Sequence, residues 1–291
     1  MYIYIIIVAI TFIICSIGVS LNGIVIWLLG FRIKRNPFTV LILNLAIADF
    51  VFLAIWEILC IYYFIVYIHF IPLGIPLMIL IYLSDIFYVN GLFLLAAISI
   101  DRCVCVLFPI WHRCSRPKYL SPVVCVLSWI CSCLLIGILN IMEFVFNSDG
   151  FANLYLVVTA VLCLPSIIIS TLILFVKICL KPKQIKRRQL LVMTLITLLC
   201  FLIFNLPLNI LGLYALYSYM GFYFQGFRLY HLMILGGSLN STFNPVIYYL
   251  VGRKRRAQTR ESIKIVFQRV FKEDEAPESR EKSTNRVSTP L

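Results

Sequence analysis

Charge is scarce in this chain. Only 13% of its 291 residues are Asp, Glu, Lys or Arg, against 62% hydrophobic, and the mean hydropathy is +1.01. So little polar surface cannot clothe a soluble domain of this size. Acids are the rarer sign, 12 against 25 Lys and Arg, and His occurs three times. The sequence holds no phosphate-binding glycine loop, no nucleophile beside a base and no Cys/His cluster at metal-ligand spacing. It therefore points to neither an enzyme nor a metal protein. Internal repeats, paired broken spans, filter loops and rings of charge are also missing, which argues against a transporter or a channel.

Long apolar runs fill the space that charge leaves. Seven are each long enough for a hydrocarbon core needing roughly 20 residues. They lie at about 2–30, 38–67, 74–107, 121–144, 151–180, 189–218 and 227–251. The fold class is an all-α membrane protein, a seven-transmembrane helix bundle with a short amphipathic helix 8. The seven-span domain covers 1–252 and helix 8 covers 253–271, where Ile263, Val266, Phe267 and Val270 alternate with basic residues. A Glu-, Ser-, Thr- and Lys-rich stretch, 272–291, is expected to be a disordered cytoplasmic tail.

The net charge of +13 would suggest nucleic acid in a soluble protein. Its distribution says otherwise, and no nucleic-acid partner is expected. Every Lys and Arg but Arg228 falls on alternate connections or the tail. The positive-inside rule then places those segments in the cytoplasm, the N-terminus outside and the protein in the plasma membrane. Span 1, entered almost at Met1 without a leader, is expected to act as an uncleaved signal-anchor. None of the eleven cysteines falls in an outer connection, so no disulfide is expected. Cys103, Cys105, Cys131 and Cys133 are expected to be small buried apolar residues.

Polar residues inside the spans narrow the function. Asn22, the run from Asn44 to Asp49, the Asp101-Arg102 pair, Trp129, Pro165, Pro207, and Asn244-Pro245 with Tyr248 stand one motif per span. In that order they resemble the rhodopsin-like receptors across the whole membrane domain. The stretches Trp27 to Arg32, Asp101 to Val104, Phe108 to Tyr119 and Asn244 to Gly252 resemble the Mas and Mas-related receptors. That group is similar to the chain in missing the cysteine at the outer end of span 3, here near Leu77. It is similar too in lacking tryptophan two residues before the span 6 proline, where Asn205 stands. The resemblance implies a receptor that binds an extracellular peptide or small cationic molecule and activates a heterotrimeric G protein, through Gq or Gi. Two rivals remain: an odorant or pheromone chemoreceptor of the same fold, and a non-signalling decoy or trafficking protein.

Expected roles follow residue by residue. The resemblance puts G-protein coupling and switching on Asp101, Arg102, Pro109, Asn244, Pro245 and Tyr248. Asp101 is placed to hold the Arg102 guanidinium and limit its desolvation. The span 6 position where many relatives carry a second clamping acid is Arg187, which would repel Arg102 and leave a weak lock with ligand-independent signalling. Asp49, with Asn22, Asn240, Ser241 and Asn244, resembles a sodium-binding cluster, and an acid at this depth is functional by default. Gly91 stands where a serine oxygen is usual, so weak sodium binding or a water-filled pocket is expected, and no other cofactor.

Ligand contact is assigned to Glu57, Asp85, Tyr88, Glu143, Asn205 and Tyr214. The outer mouth is mildly anionic, which favours cationic ligands. Asp85 lies 16 residues before Asp101, about 24 Å along the helix. It stands one place after Ser84, where the amine-binding acid of related classes aligns, so it faces either the cavity or a neighbouring helix. The span 4 position where several Mas-related receptors carry an acid is Leu139, with Glu143 a turn beyond. Ser279, Ser283, Thr284, Ser288 and Thr289 are candidate phosphorylation sites for arrestin recruitment. No cysteine follows Cys200, so helix 8 would hold the bilayer by its apolar stripe and cations alone.

Overall fold

The computed structural model describes residues 2–69, 75–117, 119–146, 154–180, 188–217, 222–252, 265 and 267. Among these the chain forms nine α-helices. They are α1 (Tyr2–Trp27), α2 (Pro37–His69), α3 (Ile75–Leu107), α4 (Pro109–Cys114), α5 (Leu120–Phe146), α6 (Leu154–Leu180), α7 (Arg188–Phe204), α8 (Leu206–Tyr217) and α9 (Phe222–Gly252). Apolar sequence without water leaves the backbone no partner but itself, so each crossing must be helical. Helices α7 and α8 are one span in two pieces, and α4 lies between the third and fourth spans.

Six spans are long and apolar enough to cross a bilayer on composition alone. The seventh, α9, is diluted by Gly236, Gly237, Ser238, Asn240, Ser241 and Asn244. Burial explains how it survives: its polar residues face α1, α2, α7 and α8, with Ser238 0% and Asn244 2% exposed. The helices close a ring in which α1 packs on both α2 and α9. Helix α3 runs through the middle, against α2, α5, α6 and α7. Tyr88 of α3 packs against all three apolar clusters of the interior.

Local chemistry sets the element ends. Asn36 and Thr39 cap α2 reciprocally, Thr39 N–H donating to Asn36 Oδ1 (2.7 Å) and Asn36 N–H to Thr39 Oγ1 (2.8 Å). Pro37 occupies the first turn, where its missing N–H costs nothing. Pro109 opens α4 in the same way. A π-helical turn, Leu28–Arg32, ends the first span.

Several features depart from the sequence expectations. The sixth span breaks at Asn205, because Pro207 lacks an N–H and its ring crowds the carbonyl four residues earlier. Asn209 Nδ2 closes the break by donating to the Asn205 carbonyl at 2.8 Å. Cys103 is buried, but Cys131 and Cys133 stand exposed on α5, so they are not the buried apolar residues expected. They lie on an apolar flank that also exposes Ile130 and Leu134. All eleven cysteines are free thiols. Of the expected helix 8 only two residues are described; both are helical, Ile265 exposed and Phe267 buried against the main core. The rest of 253–271 and the tail 272–291 lie outside the described residues.

Candidate functional site

Three polar groupings lie along the bundle, and each is built by more than two helices. The middle one centres on Asp49 of α2. Its Oδ1 accepts from Ser241 Oγ (2.7 Å) and its Oδ2 from Asn244 Nδ2 (2.8 Å). Asn22 of α1 ties on from the other side, donating to the Ser241 carbonyl at 3.1 Å. Beside them lies a cavity of about 10 Å³, lined also by Tyr88, Gly91, Asn205 and Asn240. That volume suits one water-sized guest. The Oδ1 atoms of Asn240 and Asn244 and the Nδ2 of Asn205 are buried there without a hydrogen-bond partner.

Sodium can be tested against this donor set. The carboxylate and two orphaned amide oxygens are suitable hard ligands. Both Asp49 oxygens, however, already accept from neighbours, and Gly91, where an added Cβ would stand 3.8 Å from Asp49 Oδ1, has no side-chain oxygen to offer. The residues fit a small oxygen-coordinated guest with an incomplete shell. Asn205, expected at the ligand site, lines this cavity.

The second grouping sits where α3 ends. Arg102 Nη2 donates to Asp101 Oδ2 at 2.8 Å, and the guanidinium is 99% buried with its carbon 3.8 Å above the Phe38 ring. Asp101 does more than hold its neighbour. Its Oδ1 also lies 2.7 Å from Arg116 Nη2 and 3.5 Å from His112 Nε2. Arg116 Nη2 reaches Ser121 Oγ at 2.6 Å, joining α4 and its following turn to α5. Asp101 is thus the common anchor of three basic groups. Its hydrogen bond to His112 raises that imidazole to about 9, with the Cys105 thiol adding to the effect. His112, Arg116 and Phe38 escaped the sequence reading: a continuous helix would hold His112 about 16 Å from Asp101, and only the interruption at Phe108 brings it close, while Phe38 comes from α2. Arg187 lies outside the described residues.

The third grouping is near the opposite end of α3. Asp85 has no hydrogen-bond or ion-pair partner among the described residues. It sits one turn from Tyr88 and Val89, and Val89 packs with Tyr155 and Leu156 of α6. Asp85 lies within electrostatic reach of the Tyr155 hydroxyl on α6 and the Tyr230 hydroxyl on α9. Tyr88 stacks obliquely on Phe52 (5.6 Å) and accepts from Asn209 Nδ2 at 3.4 Å. Glu143 lies near Tyr82, which Asp85 also flanks. Trp56 and Tyr63 of α2 meet Tyr230 and His231 edge-on at 5.9 and 5.4 Å, and these aromatic contacts were also missed in the sequence. Glu57 does not join them: Ser16 Oγ donates to it at 2.6 Å, in the seam between α1 and α2. The Tyr214 side chain lies outside the described residues.

Comparison with known proteins agrees with this architecture. Residues 21–248 match the family model for the 7 transmembrane receptor (rhodopsin family). The chain is 36% identical to the human Proto-oncogene Mas over 296 residues, covering 94% of this chain and 86% of that protein. It is 39% identical to the mouse Mas-related G-protein coupled receptor member B2, covering 95% and 83%. With the human Mas-related G-protein coupled receptor member X1 it shares 37% identity, covering 90% and 82%. A family of receptors, not of enzymes, accounts for the ring of seven spans and for its polar interior. The chain is a multi-pass membrane protein that belongs to the rhodopsin family of seven-transmembrane receptors, within its Mas-related group.

Proposed function

We propose that the chain is a plasma-membrane receptor for an extracellular cationic ligand, a basic peptide or a small amine, that activates a heterotrimeric G protein of the Gq or Gi class. Asp85 carries this reading. It is a carboxylate within the third span with no polar partner among the described residues, within reach of tyrosines whose faces and hydroxyls suit a cation. Glu143 adds a second acid beside Tyr82. In this reading the N-terminus and the Asp85 end face outward, and the Asp101 end faces the cytoplasm, as the basic connections and tail favour.

Ligand binding near Asp85 would act on Tyr88, which touches all three apolar clusters, and through Asn209 on the broken sixth span. The broken span and the Asn244-Pro245 step of α9 are the bistable elements. At the far end, opening would separate Asp101 from its basic partners and free Arg102 for the G protein. Arrestin would be recruited by the phosphorylated tail.

The test is a calcium and cyclic-AMP screen of basic peptides and amines in transfected cells. For an agonist found there, Asp85→Asn should raise the half-maximal concentration about tenfold or more, as befits a lost charge-assisted contact. Glu143→Gln should have a smaller effect. Equal potency at Asp85→Asn and wild type would refute the assignment. Read without ligand, the same assay tests the weak lock, since Arg187→Glu should lower basal signalling. For sodium, we propose weak binding at Asp49: replacing sodium with N-methylglucamine should change agonist affinity only slightly, and Asp49→Asn should erase that change. A strong sodium effect surviving in Asp49→Asn would place the ion elsewhere.

A further inference from the structure

A second cavity, about 290 Å³, opens on the flank of the bundle between α2, α3, α4 and α5. Its walls are Leu41, Ala97, Ile100, Val104, Trp111 and Val124, and its polar corner is made by Asp101, His112 and Arg116. The volume is at the small end for ligand pockets, enough for one chain segment of an amphiphile and too small for a folded partner.

The corner carries a surplus of positive charge. One carboxylate, Asp101, is shared by Arg102, Arg116 and His112. The Arg116 side chain is 91% buried, and its Nε is buried with no hydrogen-bond partner. Arg116 Nη1 lies 3.1 Å from His112 Nε2. Once His112 is protonated these are two donors facing each other, and the carboxylate oxygen they share, Asp101 Oδ1, lies 2.7 Å from Arg116 but 3.5 Å from His112. An anionic oxygen entering the corner would accept from both and relieve that contact.

The mouth identifies the source of such an anion. Ile100 and Trp111 are partly exposed at the rim, and Phe108 and Ile110 are strongly exposed beside it. Along α5 the same flank exposes Val123, Leu127 and Ile130. A wall of this kind faces lipid tails, not water. A basic corner at the end of an apolar slot complements a negatively charged headgroup whose acyl chain lies in the slot.

We propose that this cavity is a binding site for an anionic phospholipid of the adjoining bilayer leaflet, with one acyl chain against Ile100 and Val124 and its phosphate between Arg116 and His112. An occupied site would brace α4 against α3 and α5 through the headgroup.

Trp111 provides the probe. The full-length receptor is placed in nanodiscs of phosphatidylcholine carrying an equal mole fraction of brominated phosphatidylserine or brominated phosphatidylcholine. The Trp111 component is taken as the difference between wild type and Trp111→Phe. Brominated phosphatidylserine should be enriched about fivefold over brominated phosphatidylcholine around Trp111, the preference expected of one cation near an anionic leaflet. Arg116→Gln should abolish that enrichment while keeping the quenching by brominated phosphatidylcholine, which also shows that the variant is folded in the disc. Ala97→Phe, which fills the slot, should lower quenching by both lipids. Equal quenching by the two lipids in wild type would overturn the proposal, as would enrichment that survives Arg116→Gln. Stronger quenching by a brominated free fatty acid than by phosphatidylserine would overturn the assignment to a bilayer lipid.

Discussion

Among single side chains, His112 links protonation to structure. Asp101 and the Cys105 thiol hold its proton, raising it from 6.5 to about 9. A raised folded-state value makes the stabilisation complete below pH 6.5, smaller through the interval above, and gone beyond about pH 9. The purified receptor should therefore melt at progressively lower temperature as pH rises from 6.5 to 9, and His112→Gln should flatten that slope. A wild-type melting temperature constant across the interval would show that the imidazole contributes nothing. This contact was invisible in sequence for a physical reason. Asp101 and His112 are brought together by the interruption of the helix at Phe108, which the apolar pattern does not mark. Asp101 and Arg102 were legible because adjacent opposite charges at the end of an apolar run have few alternatives to pairing. The Ser16–Glu57 contact was hidden for the opposite reason: depth in the bundle can be counted along a helix, but an acid's rotation toward α1 depends on packing.

At the scale of elements, the decisive contact is between the broken sixth span and α9. A Cβ on Gly236 would stand 2.7 Å from the Phe204 carbonyl, backbone that cannot yield easily. Gly236→Ala should destabilise the receptor by about 1–3 kcal/mol, as overpacking does. Gly137→Ala, where nothing lies within 4 Å, should be neutral or stabilising by up to about 1 kcal/mol. Differential melting of the two variants checks this, and equal melting would show that α9 does not lean on the break. Span number and limits were readable because hydrocarbon admits only apolar helices of a certain length. The break at Asn205 was foreshadowed by Pro207, but its effect was not. Asn205, which stands at the break, lines the Asp49 cavity. Short α4 escaped notice because six residues between spans carry too little periodicity to register.

At the scale of the whole molecule, polarity is graded across the ring rather than shared equally. Six spans bear their own apolar credentials, while α9 holds its place by facing α1, α2, α7 and α8. The partners in that arrangement are made first and last: α1 leaves the ribosome long before α9, yet Asn22 reaches the Ser241 carbonyl and Ser241 reaches Asp49. During biosynthesis, then, the final segment is too hydrophilic to partition from the translocon unaided and must wait for a half-built bundle to receive it. In a glycosylation-reporter insertion assay, α9 alone should integrate poorly, and it should integrate well behind the preceding six spans. Efficient solitary integration would contradict this. Mutations at Asn22 or Asp49 would accordingly be felt first as failed maturation in the endoplasmic reticulum, before any ligand is met.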